Sequence, residues 1–246
     1  MAKTGLKWTE LKNRATPYLR VTGIALLLAL LLFGGIRAYT LHTMGDRSHD
    51  LILINPWNPL SETGYTPRLT TVEKDIQANR VCAGALKQML ADCREGGRKP
   101  LLLEGYRSLD DQLVLYDAKV QEIADAGLSP EEAEREVQRH IAPPGRSEHE
   151  TGLAFDIVDA DYTQLDNAQG STPVSLWLAE NAWRYGFILR YPDGAESITG
   201  YDWHPWHYRY VGREAAENIW TLDITLEEYL ALFYSNAAQV TVDTPR

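Results

Sequence analysis

The stretch Ser147-Glu148-His149-Glu150-Thr151-Gly152-Leu153-Ala154-Phe155-Asp156, with a later one, Trp206-His207-Tyr208-Arg209-Tyr210-Val211-Gly212, holds the residue types best suited to chemistry in this chain. His149, Asp156 and His207 are all metal-ligand types. Catalytic zinc usually takes three protein ligands from His and Asp or Glu and leaves a fourth position to water, and this set has that count and chemistry. The chain therefore reads first as a metallohydrolase.

The spacing around these residues has a physical logic. Thr151-Gly152 can turn the backbone between His149 and a short apolar run. Alternate residues of an extended run face opposite ways, so Asp156 shares a face with small Ala154 while Leu153, Phe155 and Ile157 take the other. The small residue leaves room for an ion. A strand edge is expected to carry Asp156 and a loop to carry His149, while His207 must arrive from a distant segment.

Further segments extend the pattern: Leu51-Ile52-Leu53-Ile54-Asn55 with Asn58-Pro59-Leu60, Gly105-Tyr106-Arg107-Ser108 with Gln112, Ile198-Thr199-Gly200-Tyr201, and Pro205 ahead of Trp206. On these residues the chain from about Leu51 to Gly212 resembles the VanY-type D-alanyl-D-alanine carboxypeptidases, within the wider lysostaphin, D-Ala-D-Ala and hedgehog-like group of zinc peptidases. The resemblance implies zinc on His149, Asp156 and His207, and a peptidoglycan stem peptide or its precursor as substrate. It also implies an α+β domain with a mostly antiparallel central sheet flanked by helices. Arg107 resembles the residue that holds the scissile carbonyl and its developing negative charge, a role that suits a permanently charged planar fork. Ser147 and Gln112 are implied to hold the terminal D-alanine. Tyr191 and Trp206 are further candidates for the substrate pocket, Trp206 as a wall.

One departure bears on mechanism. The family's pattern before the last ligand is Glu-Pro-Trp-His, with the glutamate as general base, whereas this chain reads His204-Pro205-Trp206-His207. Histidine accepts a proton near neutral pH, so His204 as a substitute base is the first reading. The alternative is His204 as a fourth ligand, which would close the site and leave no nucleophile.

The first 40 residues are of another kind. Val21 to Ile36 is an uncharged, mostly apolar run of 16 residues, preceded by Lys3, Lys7, Lys12, Arg14 and Arg20. With Tyr18-Leu19 ahead and a snorkelling Arg37 behind, it approaches the roughly 20 residues that span a bilayer. A basic tail over 1–20, an uncleaved anchor over 21–40 and a linker over 41–50 are expected, with the tail cytoplasmic and the domain outside; the resemblance implies that the membrane is that of a bacterial cell. Residues 1–40 carry six Lys or Arg against one Glu, a charge of +5, so the remainder carries −15 of the overall −10. So acidic a domain argues against nucleic acid as a partner.

The elements that must position the site follow from periodicity and punctuation. Leu51 to Ile54 reads as a strand. A helix is expected from about Val72 to Arg94, with Val81, Ala85, Leu86, Met89 and Leu90 at helical spacing and Gly96-Gly97 as its stop. Cys82 and Cys93 fall in it about 16 Å apart, beyond the roughly 7 Å Cα limit for a disulfide, and read as core thiols. Pro100 to Glu104 reads as a buried strand, Ser108 with Asp111 as the cap of a helix to about Ala126, and Ser129-Pro130-Glu131-Glu132 as the start of another. Ser175 to Tyr185 is expected to be helical and closed by Gly186. Phe187-Ile188-Leu189 is expected as a strand and Leu226 to Phe233 as a final helix, within a peptidase domain spanning 51–234 and followed by a polar tail from Ser235.

The sequence thus points to a membrane-anchored zinc D,D-carboxypeptidase facing outward. Two rivals stand beside it. One is a catalytically impaired wall-peptide-binding homologue, favoured by His204, and the other is a related D-Ala-D-Ala dipeptidase or endopeptidase.

Overall fold

A computed structural model of the chain describes residues 50–234. The expected tail, anchor and most of the linker, and the polar tail from Ser235, lie outside the described residues. Among the described residues no helix is long and apolar enough to cross a membrane.

Leu69–Glu73 (β1) and Ile76–Asn79 (β2) form an antiparallel hairpin with Lys74 in its turn at φ 47°. This corrects the helix expected from Val72. Thr70, Thr71 and Val72 are β-branched and favour the pleated surface. The helix starts instead at Arg80 and runs to Glu95 (α1), because Asn79 accepts a hydrogen bond from the Val81 N–H and caps it there. Gly96 and Gly97 end it as expected. Cys82 and Cys93 are buried and free on it.

Pro100–Glu104 forms β3. Ser108 caps Leu109–Asp125 (α2) by accepting from the Asp111 N–H, and Ser129 with Glu132 makes a reciprocal capping box for Pro130–Gln138 (α3). Ala154–Asp159 (β4) follows. The helix expected from Ser175 to Tyr185 is divided. Thr172 caps Pro173–Asn181 (α4), then Ala182–Tyr185 tightens into a 3-10 turn closed by Gly186. Asn181 turns its amide back onto the Trp177 carbonyl at 2.9 Å, a local bond that competes with further helix. Phe187–Leu189 (β5), one helical turn at Glu196–Thr199 (α5), His207–Tyr210 (β6), Arg213–Leu222 (α6) and Leu226–Tyr234 (α7) complete the order.

The second sheet has the order β3-β4-β6-β5 with every neighbouring pair antiparallel, so the described fold is α+β with antiparallel sheets flanked by helices. β4 lies inside this sheet, which places Asp156 on an interior strand rather than at the expected edge. Leu51 to Ile54 is also corrected, since it pairs with no strand among the described residues. The carbonyls of Asp50 and Ile52 are taken by the Arg209 side chain, and Asn55 with Asn58 makes an isolated bridge.

Strand alternation sorts the side chains. Leu153, Phe155 and Ile157, with Tyr208, turn into the main core against Leu86, Met89 and Leu90 of α1 and Val174 and Leu178 of α4. The opposite face is left to Ala154, Asp156, His207 and Arg209.

Candidate metal and substrate site

His149 lies on a 3-10 turn, Glu148–Thr151, that ends at Gly152 with φ 67°. A Cβ at Gly152 would stand 2.9 Å from the Asn79 N, so only glycine allows both the turn and its seat against β2. The seat is fixed by Asn79 N–H donating to the Gly152 carbonyl at 2.8 Å. Gly105 is pressed against β2 in the same way, and Tyr106 N–H donates to the Gln77 carbonyl at 2.7 Å. The hairpin thereby carries both the metal loop and the segment leading to Arg107.

The second-sheet register places Asp156 directly opposite His207. His149 Nδ1 donates to the Gly105 carbonyl at 2.8 Å, which turns Nε2 toward Asp156 Oδ1 at 3.4 Å. His207 presents Nδ1 to Asp156 Oδ1 at 3.0 Å and turns Nε2 to Glu148 Oε2 at 3.4 Å. The three prospective ligand atoms all lie within 4.8 Å of one another. An ion with tetrahedral ligand bonds of about 2.1 Å separates its ligand atoms by about 3.4 Å, so these residues fit zinc. Each ring hands its other nitrogen to an oxygen acceptor, the outer arrangement that fixes metal-binding imidazoles.

The electrostatics favour a cation between these groups. Burial works to raise the Asp156 pKa, but His149 and His207 outweigh it and hold the carboxyl well below the usual range. Burial works to lower the His207 pKa, and hydrogen bonds to Asp156 and Glu148 carry it above the ordinary value. Both directions show the carboxylate and the imidazoles favouring each other's charged forms, the setting in which a cation is stabilised.

The cluster opens onto a cavity of about 530 Å³, lined among others by Arg107, Ser147, Tyr191, Tyr201, His204 and Trp206. Of the substrate candidates, Ser147, Tyr191 and Trp206 reach it directly. Gln112 does not line it. Fully buried behind Arg107, Gln112 accepts from Arg107 Nη1 at 2.6 Å and donates to the Ala142 carbonyl at 2.7 Å. Glu104 takes Arg107 Nε at 2.6 Å and also pairs with Nη2, so three guanidinium nitrogens are pinned.

His204 is 5% exposed and stacks on Trp206, ring centroids 4.8 Å apart, with the edge of Tyr191 at 5.4 Å. It is not one of the clustered ligand groups. Its Nε2 has no hydrogen-bond partner among the described residues. Burial, aided by the neighbouring His207, lowers its pKa from 6.5 to about 3, so the ring is neutral over the physiological range.

Sequence reasoning passed over the acid and the arginines beneath the cluster. Glu148 is fully buried and accepts from both Arg190 Nε and Arg209 Nη1 at 2.7 Å. Burial would raise its pKa, but Arg190 and Arg209 hold it well below the carboxylate range. Arg209 had a signal, since it stands two residues from His207 on one strand and shares its face. Arg190 had none of that kind.

An antiparallel α+β fold in which two interior strands and a 3-10 turn bring an Asp and two His together beside a cavity that an anchored arginine also lines fits the class of metal-dependent hydrolases. The family model of VanY, D-alanyl-D-alanine carboxypeptidase, matches residues 75–213, and the chain belongs to that family. A D-alanyl-D-alanine carboxypeptidase of Enterococcus faecalis is 37% identical over 196 residues, covering 78% of this chain and 69% of the relative. Matches to relatives from Bacillus subtilis and Enterococcus faecium span 56% and 57% of those proteins. Among solved structures, VanYB in complex with D-alanine-D-alanine is 37% identical, with TM-score 0.67 over 74% of this chain and 97% of that one. A mutant of the vancomycin-resistance D,D-pentapeptidase VanY in complex with Zn(II) has TM-score 0.67 and 36% identity over 74% and 99% of the two chains. The LD-carboxypeptidase LdcB has TM-score 0.64 at 36% identity over 74% and 86%.

Proposed function

We propose that this chain is a zinc-dependent D,D-carboxypeptidase that removes the terminal D-alanine from peptidoglycan stem peptides. One observation carries the reading: His149, Asp156 and His207 converge on one wall of a cavity that Arg107 also lines, in a chain of the VanY family. The neighbours solved with Zn(II) and with D-alanine-D-alanine support metal and substrate class.

When bound, zinc supplies Lewis-acid chemistry, polarising a carbonyl and acidifying water. The chain's own residues do the rest. Glu104 and Gln112 together engage three of the five guanidinium N–H groups of Arg107, which leaves two to meet the scissile carbonyl oxygen as it gains charge. Ser147 lines the cavity beside His149 and offers its hydroxyl to the terminal D-alanine, while Tyr191 and Trp206 form apolar walls that exclude water. Gln112 serves the substrate through Arg107. His204, neutral and with an unpartnered Nε2, takes the proton from the attacking water and returns it to the leaving amine.

Residues 1–40, basic and then apolar, support an anchor with the acidic domain outside a bacterial membrane, where stem peptides are found. A second reading, a wall-peptide-binding homologue of impaired turnover, is favoured by His204 itself, because a ring with a pKa of about 3 is a weak base. Incubation of the zinc-loaded chain with a muramyl pentapeptide, followed by mass spectrometry, tests the choice. The proposal expects tetrapeptide and free D-alanine. Tripeptide with intact D-Ala-D-Ala would mark a dipeptidase, and bound but uncut peptide the second reading.

A further inference from the structure

We infer that Glu227, on the C-terminal helix α7, is a positioning residue for His207, acting through Arg190 and Glu148. The inference rests on the reading of His207 as a metal ligand. Glu227 takes Arg190 in a two-point pair, Nη1 to Oε2 at 2.9 Å and Nη2 to Oε1 at 2.7 Å. Asn55 Nδ2, 172 residues earlier in the chain, donates to Glu227 Oε1 at 3.1 Å and fixes the carboxylate. With both its terminal nitrogens held, Arg190 turns only Nε to Glu148 Oε1. Arg209 Nη1 takes that same oxygen, so Oε2 is left for His207 Nε2.

Glu148, Arg190 and Arg209 are fully enclosed and Glu227 is 5% exposed, two acids against two bases. Taking four charges out of water cancels most of what their attraction contributes, so such a network is a weak source of stability and a strong source of geometry. Leu226, Tyr229 and Leu230 already dock α7 by packing on Ile188, Val211 and Ala216. Helix attachment therefore does not need Glu227. Without it, Arg190 Nη2 is free to close a two-point pair on Glu148 and draw Oε2 away from His207. Glu227 and Asn55 both lie outside the matched family region, residues 75–213.

The test is Zn(II) affinity of the full chain, by competition with a chromophoric chelator, for wild type, Glu227→Gln and Glu227→Asp, with visible spectra of the Co(II)-loaded proteins. Loss of an outer partner of a metal-binding histidine weakens metal by about 10- to 100-fold, and Glu227→Gln is expected in that range with an altered Co(II) spectrum. Glu227→Asp keeps the charge and should recover part of both. If Glu227→Gln does not fold, Glu227→Asp alone decides, with an expected loss of at least about threefold. Unchanged affinity and spectrum in a folded variant, even one that melts earlier, would overturn the inference and leave the metal site standing. A wild type that binds no zinc would overturn the metal-site reading and this inference with it.

Discussion

Asp156 and His207 face each other as paired residues across the β4–β6 ladder, with 3.0 Å between Asp156 Oδ1 and His207 Nδ1. Two of the three candidate ligands are thus set by backbone register inside a sheet, where a one-residue slip of either strand would send its ligand to the core face. Only His149 depends on a loop, and Gly152 and the β1–β2 hairpin hold that loop. Asp156→Asn keeps the shape and removes the charge. It should lower zinc affinity by more than about 100-fold while far-UV circular dichroism stays the same. Full zinc content in the purified variant would remove Asp156 from the site.

Arg107 is expected to act in turnover rather than in metal binding. Arg107→Lys keeps the charge but loses the fork that Glu104 and Gln112 orient, so kcat should fall by about 100-fold or more, the scale of a lost oxyanion donor. Zinc affinity should be unaltered. Gln112→Ala should reproduce part of the loss, because it frees Nη1 from its anchor. Wild-type turnover in Arg107→Lys would exclude the arginine from the mechanism.

For His204, substitution separates the two readings of the site. As the base, it predicts that His204→Ala retains zinc and loses about 100-fold or more in kcat, while His204→Glu, which restores the family's carboxylate, is active. An inert wild type beside an active His204→Glu would favour the binding homologue. An alanine variant as active as wild type would refute the role altogether.

Burial of His204 also fixes a pH dependence of stability. Its folded pKa of about 3 lies below the unfolded value of 6.5, so under acid the unfolded chain takes up a proton there before the folded chain does. Stability is fully present above pH 6.5 and falls as pH drops toward 3, by about 1.4 kcal/mol per pH unit within the window. Urea unfolding of the metal-free chain should therefore show a steeper acid loss for wild type than for His204→Gln. Parallel curves for the two would mean that position 204 takes no part.

Much of the site was legible because its signals are local. His149, Gly152, Ala154 and Asp156 lie in one short stretch whose alternation assigns faces, and the pattern ending at His207 is contiguous. The caps at Ser108 and Ser129 were readable for the same reason, since a side-chain oxygen and its N–H partner are three residues apart. The hairpin before α1 was not, because Val72 suits a helix start as well as a strand and only pairing with β2 decides. Leu51 to Ile54 has the composition of a strand, but a distant arginine takes its carbonyls. The network from Glu227 to Glu148 was invisible in sequence, as its members meet only after the sheet and α7 have packed.

The central claim is tested most directly by stripping the full chain with a chelator, restoring Zn(II) stepwise, and measuring D-alanine released from a muramyl pentapeptide. The account predicts no release from the stripped protein and release that rises with zinc to a plateau at one equivalent, absent from the His149→Ala chain. Undiminished release without metal, or none with one zinc bound per chain, would contradict it.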